Sequence, residues 1–431
     1  MSIGIGLIGF GTVGGGVVKL LFENRPVIRQ KTGLDLELRK IVVRDLNKRR
    51  DAGVDVPQGL LTANVDEVLA NPQIQIVVEL IGGIEPAKSF ILKAFANGKS
   101  VVTANKKLLA SHGPELFAAA KKHKVDFFFE ASVAGGIPLL KSIREGLVAN
   151  KITKVFGIVN GTCNYILTKM SEEGLDFQTA LKQAQEKGFA EADPSLDIDG
   201  NDSADKLAVL ALLSWGLSVP VPQIYTEGIR KIELEDIRYA SDLGYSLKLL
   251  AIGKCDGKQV EARVHPTLLP KKHLLSSVRD EYNAVYVEGD AVGSTVFYGK
   301  GAGRMPTASA VVADVVDVAR NISFGSVGRV LPEFAEPPKM ALKRMSGVNS
   351  QYYVRMYLLD KPGVLAKIAK IFGEHEINID SVIQTGGRGQ EMVPVVFTIH
   401  ESNEKNLEDS LEKISRLDVI GKKPVVIRME S

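Results

Sequence analysis

The sequence predicts an α/β protein in three parts: a doubly wound parallel sheet of the Rossmann type, an α+β middle domain and a ferredoxin-like C-terminal unit. Three observations carry this. Over the first 140 residues short apolar runs alternate with helical patterns, and strands covered by helices on both faces read as such runs. From about 141 to 300 the alternation gives way to a long helical stretch and then to successive strand-like runs. Residues 352–431 read β-α-β-β-α-β, the ferredoxin-like order.

In the first part Ile3–Ile8, Leu36–Val43, Ile74–Ile81, Ser100–Thr103 and Val125–Glu130 read as strands, and Gly14–Phe22, Val65–Ala70, Ala87–Asn97 and Gly113–His123 as helices. A βαβα order implies a parallel, doubly wound sheet. In the second part, the helical patterns Asp176–Gly188 and Asp202–Trp215 precede strand-like Leu247–Gly253, Val260–Val264, Ala284–Gly289 and Ser294–Tyr298. Pro306–Ala319 reads as a helix with Pro306 suited to its first turn. We assign a helix over 305–325 to the first domain (1–140), leaving 141–304 as the second. Residues 332–351, with Pro332, Pro337, Pro338 and Ser346-Gly347, have the composition of a linker. Beyond it, an independent unit holds a strand at Tyr352–Leu359 and a helix capped by Asp360 that starts near Pro362 and runs to His375. Strands Ile377–Gln384 and Val393–His400, helix Asn406–Arg416 and strand Lys423–Met429 complete it.

Composition narrows the class. A chain of 431 residues holds two or three domains of about 100–200 residues. With 45% hydrophobic and 24% charged residues it is neither disordered nor fibrous. Fifty-four basic against fifty-one acidic residues leave +3, too balanced for a phosphate-neutralising surface, so nucleic acid is not an implied partner. Two cysteines, Cys163 and Cys255, without a CxxC, fit a reducing compartment. The N-terminus lacks the basic residues that open a signal peptide. The apolar run Leu207–Leu213 is far short of the roughly 18 residues that span a bilayer. The expectation is a soluble cytoplasmic protein without a membrane partner.

Gly9-Phe10-Gly11-Thr12-Val13-Gly14 follows a strand and opens a helix. GxGxxG alone is weak in a chain with 41 glycines; placed between strand and helix it reads as a dinucleotide loop. The first glycine permits the turn, the second lets backbone approach a pyrophosphate, and the third packs helix on strand. At the end of the second strand an acidic residue suits a ribose 2′-OH and arginine a 2′-phosphate. Arg44, with Lys48, Arg49 and Arg50 nearby, favours NADP; Asp45 argues for NAD, and the basic cluster also reads as a solvated face.

Gly188 to Lys206 carries the densest chemistry, with six carboxylates in the fifteen positions 191–205. Asp202 and Lys206, four apart, share a helical face, and Asp199 joins them if the helix begins early enough. The spacing does not make an EF-hand; a plain helix cap at Asn201 or Asp202 is the bland alternative. Lys206 sits at the start of a run that is apolar all round, which reads as a buried helix. The helix dipole and apolar neighbours disfavour its ammonium form and the carboxylates favour it, a balance suited to protonating a developing alkoxide. A lysine snorkelling from a helix start is the commoner situation; the upstream cofactor loop favours the catalytic reading. Ser203-x-x-Lys206 and Lys31-Thr32-Gly33 mimic β-lactamase motifs, but Ser-Asp-Asn is missing. The six histidines show no zinc spacing.

Together, Gly9–Gly14, Val102-Thr103-Ala104-Asn105-Lys106, Glu130–Pro138, Gly157–Asn164, the acidic segment and Gly299–Ala310 resemble homoserine dehydrogenase in its single-function form with an appended ACT domain, over essentially the whole chain. The resemblance implies reversible NAD(P)-dependent reduction of L-aspartate 4-semialdehyde to L-homoserine, in threonine, methionine and isoleucine biosynthesis. It implies that Lys206 is the general acid and that Lys106 is a second lysine beside cofactor and substrate. Glu191, Asp202 and Asp197 are implied substrate carboxylates, which suits a substrate ammonium group. Gly188 and Gly303 are implied cofactor-side positions, and Glu130 with the carbonyls of Val133, Gly135 and Ile137 a sodium-type site. Residues 141–304 then become the substrate and dimerisation domain, and Cys163 a packing residue. Asp360–Leu365 and Ile377–Asp380 resemble an ACT module; such modules pair edge to edge and bind amino acids. This implies a homo-oligomer, dimer or tetramer, and threonine as effector. The competing readings are another NADP-linked semialdehyde reductase and a non-catalytic sensor of dinucleotide and amino acid.

Overall fold

Strand β1 (Ser2–Ile8) is apolar after Ser2 and buried there on both faces, as an inner strand of a parallel sheet must be. In the computed structural model it pairs in parallel with β2 (Asp35–Val42) on one side and β4 (Ile76–Glu79) on the other. Adding β3 (Leu61–Thr62), β5 (Ser100–Thr103) and β6 (Phe127–Phe128) gives the order 3-2-1-4-5-6, whose reversal at β1/β4 is the ligand-binding switch point of doubly wound folds. The structure describes residues 2–48, 50, 53–332, 334–336, 338–384 and 391–431; Arg49 of the basic cluster and Pro337 of the proline-rich stretch lie outside them.

The chain forms two compact units. The first comprises 1–161, 202–224 and 281–340. Its parallel sheet is wrapped by α1 (Thr12–Glu23), α2 (Arg25–Thr32), α3 (Asp66–Leu69), α4 (Ala87–Ala96) and α5 (Lys106–His123). The predicted helix around 306–319 also lies here, lengthened. Gly16 of α1 packs so tightly on Arg304 and Ala308 that a Cβ there would lie 2.8 Å from Ala308 Cβ. Beyond the sheet, β7 (Ile152–Ile158) opens a stretch in which α6 (Gly161–Glu173), α7 (Phe177–Glu186), α8 (Ser195–Ile198) and α9 (Asn201–Trp215) follow in sequence. Of α9's fifteen residues thirteen are buried, which makes it the buried rod the sequence predicts.

The second unit comprises 162–201, 225–280 and 341–431. It takes in α7, α8 and all of α6 but Gly161, and continues with β8 (Tyr225–Thr226), α10 (Leu234–Asp242), β9 (Tyr245–Cys255) and β10 (Gln259–Pro270). The first unit completes its own antiparallel β7 ladder with β11 (Tyr282–Gly289) and β12 (Gly293–Lys300), before α11 (Arg304–Ser323). Returning to the second unit, β13 (Ala341–Leu342), β14 (Asn349–Leu359), α12 (Val364–Glu374), β15 (Ile379–Gln384), β16 (Met392–Asn403), α13 (Glu404–Ile414) and β17 (Val425–Met429) end the chain. β14 pairs with β16 and β17, and β16 with β15, all antiparallel, which is the ferredoxin-like order.

Several expectations change. The C-terminal residues, expected to stand apart, share a sheet with residues 225–280: β17 runs parallel to β10 through Thr267–Arg428 and Leu268–Met429. Within the expected linker, β13 pairs with β10 and β14 begins at Asn349. Asp360 does not cap α12; Gly363, at φ +86, does, and the Asp360 carboxylate accepts from Gln384 instead. Asp199 does not join Asp202 on one helix face, because the chain breaks at Gly200 (φ +86) between α8 and α9. α5 starts at Lys106 rather than near Gly113.

Candidate active site

The dinucleotide loop assigns a separate task to each glycine. Gly9 has φ +106, and a Cβ there would lie 2.7 Å from the Leu80 carbonyl oxygen. At Gly14 it would lie 2.2 Å from the Gly9 carbonyl oxygen. At Gly11 it would meet nothing within 4 Å, so that glycine keeps the space over the loop clear rather than relieving a clash. Gly11 is also the N-cap of α1 and supplies no side-chain cap, which leaves the first amides of the helix to an anion. Phe10 and Val13 are half-buried and Thr12 is exposed. The residues present fit a dinucleotide pyrophosphate.

At the end of β2, Arg44 is exposed and makes no hydrogen bond or ion pair among the described residues. The Asp45 carboxylate turns back to accept the Asn47 amide at 2.8 Å. Glu79, wholly buried at the end of β4, accepts from the Ile81 amide at 2.7 Å and from Thr103 Oγ1 at 2.7 Å. It shapes the turn beside the switch point, and the sequence reading missed it because it sits inside an apolar run.

Asp202 organises the centre of the site. Its Oδ1 lies 2.6 Å from Lys106 Nζ; its Oδ2 lies 2.8 Å from Lys206 Nζ and accepts from Asn160 Nδ2 at 2.9 Å. Lys206 Nζ also donates to the Val159 carbonyl at 2.5 Å. Both Asp202 and Lys206 are 9% exposed. Burial pushes the Asp202 carboxyl upward, but the two ammonium groups and their hydrogen bonds outweigh it and hold the acid well below its usual range. Lys106 opens α5 directly after the N-cap Asn105, whose Oδ1 accepts the Leu108 amide and whose Nδ2 donates to the Gly83 carbonyl. A cation in a first helical turn opposes the dipole; the Asp202 contact offsets that. Asn160 and the Val159 carbonyl were not anticipated. An Asn at a strand-to-helix junction was a readable signal for the first, whereas no side chain reports the second.

Other predicted positions have their own settings. In the second unit the Asp197 carboxylate accepts from Thr162 Oγ1 at 3.2 Å, and its carbonyl accepts from Cys163 Sγ at 3.2 Å; Cys163 is fully buried. Glu191 is exposed. Gly188 has φ +74 with open space around it. In the first unit Gly303, φ +112, is the N-cap of α11.

Glu130 is 7% exposed. Its oxygens accept the amides of Leu140 at 2.8 Å and Lys141 at 2.6 Å, and burial, only partly offset by those bonds, pushes its carboxyl above the usual carboxylate range. Ala134 and Gly135 both have positive φ, +57 and +50, so the peptides after Val133 turn sharply. The Ile137 carbonyl accepts the Leu139 amide at 2.8 Å and keeps a second lone pair. Among the described residues no three His, Cys, Asp or Glu side chains gather as a metal site. One carboxylate with carbonyl oxygens is a hard donor set of low charge, which fits a monovalent cation.

Comparison with known proteins adds to this geometry. The family profile of the homoserine dehydrogenase NAD binding domain matches residues 9–130, that of homoserine dehydrogenase matches 138–316, and that of the ACT domain matches 352–419. A homoserine dehydrogenase of Bacillus subtilis (strain 168) is 42% identical over 100% of this chain and 98% of its own. The chain belongs to the homoserine dehydrogenase family. A homoserine dehydrogenase crystal structure from Thiobacillus denitrificans matches with TM-score 0.92 and 44% identity, covering 100% of this chain and 99% of that one. A hyperthermophilic archaeal homoserine dehydrogenase in complex with NADPH matches at TM-score 0.63 and 26% identity, over 74% of this chain and 98% of that one. The chain is thus an oxidoreductase of the homoserine dehydrogenase family that uses a nicotinamide dinucleotide and carries an ACT domain. Neither the sensor reading nor another semialdehyde reductase is favoured. No helix among the described residues is long and apolar enough to cross a membrane.

Proposed function

We propose that Lys206 is the proton donor in the reduction of L-aspartate 4-semialdehyde to L-homoserine, with Asp202 and Lys106 holding it in place. The observation that carries this reading is the clamping of two ammonium groups by one buried carboxylate. Asp202 holds the Lys206 amine at 2.8 Å, and the Val159 carbonyl fixes its direction. A reduced nicotinamide dinucleotide, when bound, would supply the hydride for the aldehyde carbon. As the carbonyl oxygen becomes an alkoxide, Lys206 gives it a proton, and Lys106 adds positive charge beside the developing anion. In the reverse direction Lys206 accepts the hydroxyl proton of homoserine. Glu191 and Asp197, with Asp202, are assigned to the substrate's ammonium group.

Phe10, Gly11, Thr12 and Val13 would cradle the pyrophosphate, with Gly188 and Gly303 on the cofactor side. The unengaged Arg44 beside an Asp45 turned to its own backbone favours NADP over NAD. Residues 1–140 with the 305–325 helix form the nucleotide domain, and 141–304 bind substrate. Glu130 and the carbonyls of Val133, Gly135 and Ile137 would hold sodium, whose role is to brace this loop. A cavity of about 150 Å³ in the C-terminal module, lined by Leu358–Leu365, Gln384, Val393 and Val395, is assigned to threonine as feedback effector. The module's edge strand β15 is assigned to pairing between copies in a cytoplasmic dimer or tetramer. The decisive assay mixes purified full-length protein with L-homoserine and NADP⁺ or NAD⁺ and follows nicotinamide absorbance. We expect homoserine-dependent reduction, faster with NADP⁺, and inhibition by threonine that Asp360→Ala weakens. No homoserine-dependent reduction of either dinucleotide would overturn the reading.

A further inference from the structure

We infer that residues 225–230 are a strap through which the C-terminal module positions the carboxylate of Asp197, with Glu227 and Arg230 as its positioning residues. This rests on the assignment of Asp197 to the substrate.

Tyr225-Thr226-Glu227-Gly228-Ile229-Arg230 has little regular structure of its own. β8 is two residues long and lies beside Arg263 and Val264 of β10, well below the usual strand of about 5–6 residues. Beyond that pairing and the bond from the Glu227 amide to the Val264 carbonyl at 2.8 Å, side chains anchor it. At one end the anchor is Arg428 of β17, which is 5% exposed. Its Nη1 donates to Glu227 Oε2 at 3.2 Å and its Nη2 to Tyr225 Oη at 3.1 Å. The guanidinium lies over the Tyr225 ring at 4.7 Å, and Tyr225 Oη donates to Glu227 Oε2 at 3.1 Å. The guanidinium is itself fixed by Glu404, the first residue of α13, through Nε at 3.0 Å and a second contact from Nη2. A buried arginine held on several edges is a rigid anchor, and this one belongs to the module that carries the 150 Å³ cavity.

At the other end the strap grips α8 from both sides. The Ile229 amide donates to the Ile198 carbonyl at 2.8 Å. Gly228 comes so close that a Cβ there would lie 2.0 Å from that same oxygen, so no other residue fits. Arg230 chelates the Asp199 carboxylate through Nε and Nη2, and the same Nη2 reaches Ser195 Oγ at 2.9 Å. α8 is four residues long, too short to hold its shape unaided. It carries Asp197 between the gripped Ser195 on one side and Ile198 and Asp199 on the other. Thr162 of α6 reaches the Asp197 carboxylate directly, but the backbone that carries it is held by strap contacts whose far end lies in the C-terminal module, so a shift of β17 or α13 is felt at Asp197 without any contact between effector and substrate.

The test uses full-length Glu227→Ala, Asp199→Ala, the double variant and Asp197→Asn, measuring KM for homoserine, KM for NADP⁺, kcat and thermal midpoint. Loss of one charge-assisted bond at these part-exposed sites should raise homoserine KM about three- to tenfold in each strap variant. KM for NADP⁺ should stay within about twofold, and the midpoint within about 4 °C. Because both cuts release the same strap, the double variant should be no worse than the more damaging single one. Should Asp197→Asn raise homoserine KM while neither strap variant does, the strap is refuted and the Asp197 assignment stands. Multiplying effects in the double variant, or a parallel change of both KM values with a large fall in midpoint, also refutes it. If Asp197→Asn leaves homoserine KM unchanged, the Asp197 assignment fails and takes this inference with it.

Discussion

Replacing Lys206 by methionine separates chemistry from packing. Methionine fills nearly the same volume, so little cavity forms, but the Val159 carbonyl and one Asp202 oxygen lose their ammonium donor. Removing one partner from a buried ion pair commonly costs about 3–5 kcal/mol, because the other charge is stranded. Here Asp202 keeps Lys106 at 2.6 Å and Asn160 at 2.9 Å, so a smaller loss of about 1–3 kcal/mol is expected. At about 2–4 °C per kcal/mol for a domain of this size, the protein should still fold, with a midpoint lowered by several degrees. General acid catalysis contributes about 10²–10⁴ in rate, so kcat should fall at least a hundredfold, the lower bound of that range. The assay is steady-state reduction of the semialdehyde at saturating substrate and cofactor, on protein whose fold is checked by melting. Lys206→Arg is the companion variant: it restores a cation to Asp202 but does not release a proton near neutral pH. Stability should recover while kcat stays low. If folded Lys206→Met or Lys206→Arg turns over within about tenfold of the wild type, Lys206 is not the proton donor.

Gly11→Ala should fold normally, since its Cβ meets nothing within 4 Å, yet raise the cofactor KM about tenfold or more by filling the anion's space; Gly14→Ala, whose Cβ would strike the Gly9 carbonyl at 2.2 Å, should be destabilised outright, and melting curves distinguish the two. Arg44→Ala should lower kcat/KM for NADPH about tenfold or more and leave NADH nearly unchanged, as loss of a charge-assisted contact to a 2′-phosphate requires; equal losses with both cofactors would remove Arg44 from that role. Lys248 is buried, donating to the carbonyl of Val278 and to Asn164, and burial pulls its ammonium down to about 8. Its folded value lies below the unfolded one of about 10.4, so the folded state binds fewer protons between the two. Burial therefore penalises stability below pH 8, and the penalty is relieved as pH rises toward about 10, by about 3 kcal/mol in all. Denaturant melts of wild type and Lys248→Met over that window should show the wild type gaining relative to the variant.

The parallel sheet was legible because β1 after Ser2, and all of β4 and β5, are buried and so read as short, mainly apolar runs. α9 was legible for the same reason, and the Asp202–Lys206 pair followed from helical spacing. Elements without a one-sided pattern were not. α2 buries none of its residues and lacks a stripe. α6 buries nearly all of its first eight and again shows no period. β7 mixes Thr, Lys and Gly into its run, and α10 announces itself only by the Glu233/Asp236 capping box. In the site, side chains that pair within one element could be read; the Val159 carbonyl and the Lys106–Asp202 contact, 96 residues apart in sequence, depend on how the chain folds back. The join between β10 and β17 was hidden for a related reason, since a strand's sequence specifies its faces but not which neighbour takes its edge.

That join bears on how such enzymes can be dismantled. Cutting the chain after residue 351 would bare the Thr267–Leu268 end of β10, and Arg263, 1% exposed, would lose Glu430 and keep His265. A truncated protein would then be prone to stick to itself along the opened ladder for reasons unrelated to its regulation. Anyone wishing to test or exchange the C-terminal module does better to alter single side chains within its cavity, or to transplant β10 together with it, than to shorten the gene.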